Sequence, residues 1–83
     1  MESRTYILLA FETTHAATAM QRRLSGRVGF AVMPTLRLIS ASCGISLRVE
    51  TENAPELFSL LHACDIPYAA YLIDEALSMA QRL

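Results

Sequence analysis

Ile45-Ser46-Leu47-Arg48-Val49-Glu50 alternates apolar and polar residues without a break. Successive side chains of a strand point to opposite faces. This period of two therefore predicts a half-buried strand over 45–50, with Ile45, Leu47 and Val49 inward and Ser46, Arg48 and Glu50 outward. What surrounds that strand decides the fold. Upstream, 28–33 reads as another strand, stopped by Pro34, so two strands follow one another across the connection 35–44 with no helix between them. Earlier still, 5–11 (TYILLAF) is a short apolar run suited to a buried strand. Thr13 or Thr14 can cap the helix that follows. Ala16, Ala17, Met20 and Leu24 recur at helical spacing, Gln21, Arg22 and Arg23 form its solvated face, and Ser25-Gly26 ends it. Downstream, Asn53 caps a second helix with Pro55 in its first turn, and Leu57, Leu60, Leu61 and Cys64 share one face. Asp65-Ile66-Pro67 turns the chain into a strand over 68–73. The last stretch, 74–83 (DEALSMAQRL), reads as a terminal helix capped by Asp74, which makes Asp74-Glu75 a helix start rather than an acid–base pair.

The order is βαββαβ followed by a helix. It predicts an α+β fold, a ferredoxin-like sandwich of an antiparallel sheet with two helices on one face and an additional C-terminal helix. Right-handed crossovers give the spatial strand order 4-1-3-2. In that arrangement the connection 35–44 lies at one end of the sheet. The start of the first helix, with Thr13, Thr14 and His15, lies at the same end, and so does the turn near Cys64 and Asp65. No repeat, linker or low-complexity tract interrupts the chain, and one domain over 1–83 is expected.

Composition narrows the function classes. Apolar residues make up 53% of 83 residues and charged residues 18%. So high an apolar share in a chain with a small core leads to the expectation of a homodimer. The net charge is −1, with no basic block, which argues against nucleic-acid binding by phosphate neutralisation. Every basic residue is arginine, so lysine Schiff bases and P-loop lysine chemistry are excluded. No apolar run reaches the roughly 18 residues of a spanning helix, and Met1-Glu2-Ser3-Arg4-Thr5 lacks a signal-peptide pattern. A cytoplasmic protein with reduced thiols is expected, with no membrane partner. Two cysteines, Cys43 and Cys64, do not make a disulfide scaffold. Together with His15 and His62 they match no zinc spacing, so no metal and no cofactor are expected. Glycine-rich phosphate loops, HExxH and G-x-S-x-G are all missing from the sequence.

The candidate chemistry gathers in Met33-Pro34-Thr35-Leu36-Arg37-Leu38-Ile39-Ser40-Ala41-Ser42-Cys43-Gly44. Cys43 stands between a serine and a glycine, in a segment without helical period. A thiol attacks as the thiolate, which nearby cations, helix N-termini and N–H donors favour. Arg37 can supply positive charge, Ser40 and Ser42 hydroxyl donors, and Gly44 a turn whose N–H groups face the sulfur. The plain alternative is a small residue in a tight turn. His15, at a helix start on the same end, is either a base or anion contact or an exposed residue beside a cap. Cys64 is either a small core residue or a resolving thiol for Cys43, the latter implying a redox protein. His62 falls off the apolar stripe and is expected in solvent. These residues leave open a thiol-based activity and a non-catalytic regulatory or assembly module.

The same residues carry a resemblance. Phe11 with Thr14-His15-Ala16, and the run Pro34 to Gly44 followed by Ile45-Ser46-Leu47-Arg48, resemble the DUF3343 family of Se/S carrier-like proteins over about 5–73. The family pattern is roughly P-x-P-R-x-I-S-x-S-C-G followed by an apolar strand with an arginine. Leu36 departs from it, standing where a second proline is common. The resemblance implies a carrier rather than a turnover enzyme, with sulfur or selenium held on Cys43 as a persulfide or perselenide. Arg37 and Ser42 would stabilise the anion and His15 would assist or position the loop. It implies a cysteine desulfurase or another sulfur- or selenium-transfer protein as partner.

Overall fold

The computed structural model describes residues 5–36 and 44–83. The elements in chain order are β1 (Thr5–Ala10), α1 (Thr14–Leu24), β2 (Ala31–Pro34), β3 (Ile45–Glu50), a 3-10 turn (Thr51–Asn53), α2 (Ala54–His62), β4 (Ala69–Asp74) and β5 (Met79–Arg82). The strands form one sheet in the order β2-β3-β1-β4-β5, and every neighbouring pair is antiparallel. The fold is α+β, and within the sheet β4, β1, β3 and β2 stand in the order read from the sequence.

β1 sits at the centre, and its composition follows from that place. Ile7 and Leu9 pair with Val49 and Leu47 on one side and with Leu72 and Ala70 on the other. They face the helices, where Ala17, Met20 and Leu24 of α1 and Leu57 and Leu61 of α2 close the main core. Tyr6, Leu8 and Ala10 point the other way and are buried as well, in a second cluster with Ile73. An apolar run rather than an alternating one is what a strand buried on both faces requires.

α1 begins where the sequence places its cap. Thr13 is extended, and its hydroxyl oxygen accepts the Ala16 N–H at 3.1 Å, which satisfies one of the helix's orphan donors. At the other end Gly26 takes φ 77, in the left-handed region open to glycine. The Val28 N–H then donates to the Leu24 carbonyl at 2.9 Å. That bond explains why β2 starts later than expected: Val28 is buried against the main core as an appendage of α1, and pairing begins only at Ala31. Pro34 does not precede the end of the strand but is its last residue, opposite Ile45; β2 is an edge strand, where a missing N–H is tolerated. α2 has Asn53 at its N-cap position, but no side-chain cap bond forms there. The Arg23 guanidinium donates to the Ala63 carbonyl at 3.0 Å, tying α1 to the end of α2.

The expected C-terminal helix is not formed. Asp74 ends β4 instead of starting a helix, and its carboxylate accepts the Leu77 N–H at 3.2 Å. Ser78 takes φ 52, and Met79–Arg82 return as β5 against β4. Two physical reasons favour the hairpin. A nine- or ten-residue helix is marginal on its own, at roughly 12–15 residues for isolated stability, and a strand satisfies the open edge of β4. β5 also puts Ala80 against the second cluster. Leu77, in the turn between the two strands, stays exposed.

Candidate functional site

Register shows which chain segments share the end of the sheet expected to carry the chemistry. Ala10, the last residue of β1, pairs with Ser46 near the start of β3 and with Ala69 at the start of β4. Pro34 at the end of β2 pairs with Ile45. The start of α1, both ends of the 35–44 connection and the segment before β4 therefore meet at one end, as the topology required. Of the residues read from the sequence as site members, Arg37, Ser40, Ser42 and Cys43 lie outside the described residues. Gly44 and His15 lie within them.

Gly44 immediately precedes β3 and is exposed. Its carbonyl accepts the Thr35 N–H at 3.1 Å, which brings the two ends of the connection together one step beyond the β2–β3 ladder. Gly44 does not use a positive φ, and among the described residues a Cβ there meets nothing within 4 Å. Neither strain nor crowding by described residues accounts for a glycine at this position. A second bond reinforces the base of the connection. The Thr35 and Ser46 hydroxyls are 2.7 Å apart, and Ser46 is fully buried. The sequence pattern put Ser46 on a solvated face. The available signal was two small hydroxyl residues flanking the connection, which alternation alone does not distinguish from surface polarity. Leu36 packs against the second cluster, on the sheet face opposite the helices.

His15, in the first turn of α1, is exposed. With Thr13, Ala16, Asp65, Ile66 and Pro67 it lines a groove of about 390 Å³ between the start of α1 and the segment before β4. The structure thus brings His15 and Asp65 to one groove on the helix side. Cys64 follows the end of α2, half-buried against the main core, and its thiol donates to the Leu61 carbonyl at 3.4 Å. This agrees with the reading of Cys64 as a small core residue; its reading as a resolving thiol involves Cys43, which lies outside the described residues. His62 is exposed. Among the described residues no three His, Cys, Asp or Glu side chains gather, and no helix is long and apolar enough to cross a membrane.

Arg48, the arginine of the strand that follows the connection, is engaged elsewhere. Its Nε donates to Glu50 at 2.7 Å, and its guanidinium lies 4.1 Å from the centre of the Tyr6 ring. The hydrogen bond to Glu50 raises the Arg48 pKa above its ordinary value. Burial, followed by the nearby Glu75 carboxylate, raises that of Tyr6. Arg48 thus serves the face opposite the helices, along β3 from Gly44. A second cavity, of about 230 Å³, opens between the end of β1 and the strands β4 and β5, with Glu12, Tyr68, Tyr71 and Arg82 among its lining. It could not be read from the sequence, because one wall is β5.

A family model described as "Putative Se/S carrier protein-like" matches residues 6–72. The match runs from β1 into β4, spans the connection that holds Cys43, and leaves out β5. No curated protein and no solved structure matches the chain.

Proposed function

The chain belongs to the Se/S carrier protein-like family, and on that premise we propose that it carries sulfur or selenium on Cys43 and hands it to an acceptor. The observation that carries this reading is the family match across 6–72, which includes the one cysteine standing outside an apolar helical stripe. The fixed base of the connection supports it. The Thr35–Gly44 backbone bond and the Thr35–Ser46 hydroxyl pair hold both ends of the segment, and the rigid sheet beneath is a suitable platform for docking first a donor and then an acceptor. Cys64 is a poor carrier, being half-buried with its thiol on a backbone carbonyl.

The chemistry needs no cofactor and no net redox change. The Cys43 thiolate attacks the outer sulfur of a donor persulfide, R–S–SH. A new S–S bond forms on Cys43, the donor's own S–S bond breaks, and the donor leaves as a thiolate that takes up the proton. The acceptor thiolate repeats the exchange and returns Cys43 to its starting state. Arg37 and Ser42 offset the negative charge of the outer sulfur, with Ser40 and the Gly44 N–H as further donors and His15 positioning the loop or assisting proton movement. A cysteine desulfurase is the natural donor, and a reducing cytoplasm keeps Cys43 available. In fold terms we read the 4-1-3-2 core of the sheet with its two helices as ferredoxin-like, extended by β5.

The test is mass spectrometry of the intact protein after incubation with a cysteine desulfurase and cysteine. A mass increase of one sulfur on the wild type, reversed by thiol reductant and lost in Cys43→Ser but kept in Cys64→Ser, is the expected result. A wild type that gains no sulfur overturns the proposal.

A further inference from the structure

The cavity between the end of β1 and the β4–β5 hairpin contains opposite charges that do not meet. Glu12 and Arg82 both line it, yet the ion pair found among the described residues is Arg48–Glu50, elsewhere on the sheet. Arg82 is held from behind, its guanidinium 5.6 Å from the centre of the Tyr71 ring, within the ~6 Å range of a cation–π contact. Stacking of this kind fixes the plane of the guanidinium and leaves its N–H fork free for a carboxylate. The remaining walls are Ala10, Phe11, Pro67, Tyr68, Ala69 and the Tyr71 ring itself. They are apolar and aromatic, and favour a small aliphatic or sulfur-bearing group. At about 230 Å³ the space is below the roughly 300–1,000 Å³ of pockets for drug-sized ligands, and suits an amino acid rather than a nucleotide.

We infer that this cavity binds a free α-amino acid with a small apolar or thiol side chain, its carboxylate on Arg82, its ammonium on Glu12 and its side chain against the aromatic wall. A zwitterion is the ligand class that answers both charges of this small cavity, the stacked Arg82 and the exposed Glu12. A simple anion leaves Glu12 unanswered and close to its own charge. Arg82, the residue assigned to the carboxylate, lies in β5, outside the family match.

The experiment is an amide NMR titration of the intact protein with L-alanine, with propionate as the carboxylate-only control. Saturable shifts centred on Glu12, Tyr68, Tyr71 and Arg82 are expected in the millimolar range. Glu12→Gln and Arg82→Gln should each weaken binding by about tenfold or more, the scale of one lost charge-assisted hydrogen bond. Both residues are exposed, so neither substitution disturbs the core. Cys43→Ser should bind alanine as the wild type does, which separates this site from the carrier reading. The inference is overturned if alanine produces no saturable shifts, if propionate binds as tightly as alanine, or if either charge can be removed without loss.

Discussion

The two faces of the sheet are buried by different means. On the helix side Ile7, Leu9, Leu47 and Val49 meet α1 and α2 in a large apolar core. On the other side Tyr6, Leu8, Ala10 and Ile73 form a smaller cluster that no helix residue joins; among the described residues Met33, Leu36, Tyr71 and Ala80 pack around it. Polar groups are interleaved there, with Ser46 on Thr35 and Arg48 held between Glu50 and Tyr6. The first face holds the chain together. The second holds the Ser46 and Arg48 interactions and borders the cavity lined by Tyr71 and Arg82.

Core truncation is the largest way to test that division. Leu9→Ala on the helix side should cost about 3–5 kcal/mol, the loss of buried contacts plus the cavity left behind. That is a large part of the roughly 4–12 kcal/mol available to a chain of this size at ~0.05–0.15 kcal/mol per residue. Leu8→Ala, one residue away and equally inaccessible at 0% exposure, should cost less, about 2–3 kcal/mol, because its cluster is smaller and can collapse more readily. Urea unfolding of both variants gives the two numbers. Equal costs would break the comparison and make the two faces equivalent cores.

The same contrast explains what could be read from the sequence. The helix side was legible because its periodicities are simple. Ile45–Glu50 alternates and is a strand with those bounds, Ala16, Ala17, Met20 and Leu24 all turn inward, and Thr13 caps as its hydroxyl suggested. The opposite side was not. Ser46 looks like a surface residue because alternation cannot tell solvent from a second, partly polar cluster. The β4–β5 hairpin was read as a terminal helix capped by Asp74, because local pattern carries no information about an open sheet edge waiting for a partner. Missing β5 also hid the cavity that Arg82 lines. Of the proposed carrier site, Gly44 and His15 fall at the expected end of the sheet; the chemistry assigned to Cys43 rests on the family.

The hydroxyl pair at the base of the connection is the next test in size. Ser46→Ala removes one partner of a part-buried hydrogen bond and should cost about 1–2 kcal/mol. If the pair acts as a unit, Thr35→Val should cost a similar amount and the double variant less than their sum, by about 1 kcal/mol in a double-mutant cycle. Strict additivity would mean that the 2.7 Å approach contributes nothing of its own to the polar face. The sulfur-loading assay on the same variants asks whether the base of the connection matters to transfer. A variant that stays folded and loads more slowly would tie the two.

The smallest effect belongs to Tyr6, which joins both aspects of the second face: a buried ring beneath a cation. Burial raises its pKa, the Glu75 carboxylate raises it further, and Arg48 opposes both. The ordinary tyrosine value is about 10, and the folded value lies above it. The folded state therefore binds the phenolic proton more tightly than the unfolded state. The resulting stability is fully present below about pH 10 and is lost as pH rises through the folded value. Tyr6→Phe should accordingly lose less stability than the wild type on going from neutral pH to strongly alkaline pH, with tyrosinate absorbance reporting the titration directly. Arg48→Ala sharpens the point, because removing the cation above the ring should move the Tyr6 titration still higher. A Tyr6 titration unmoved by loss of Arg48 would show that the stacked guanidinium is held by Glu50 alone, and that the polar groups of this face do not act on the cluster beneath them.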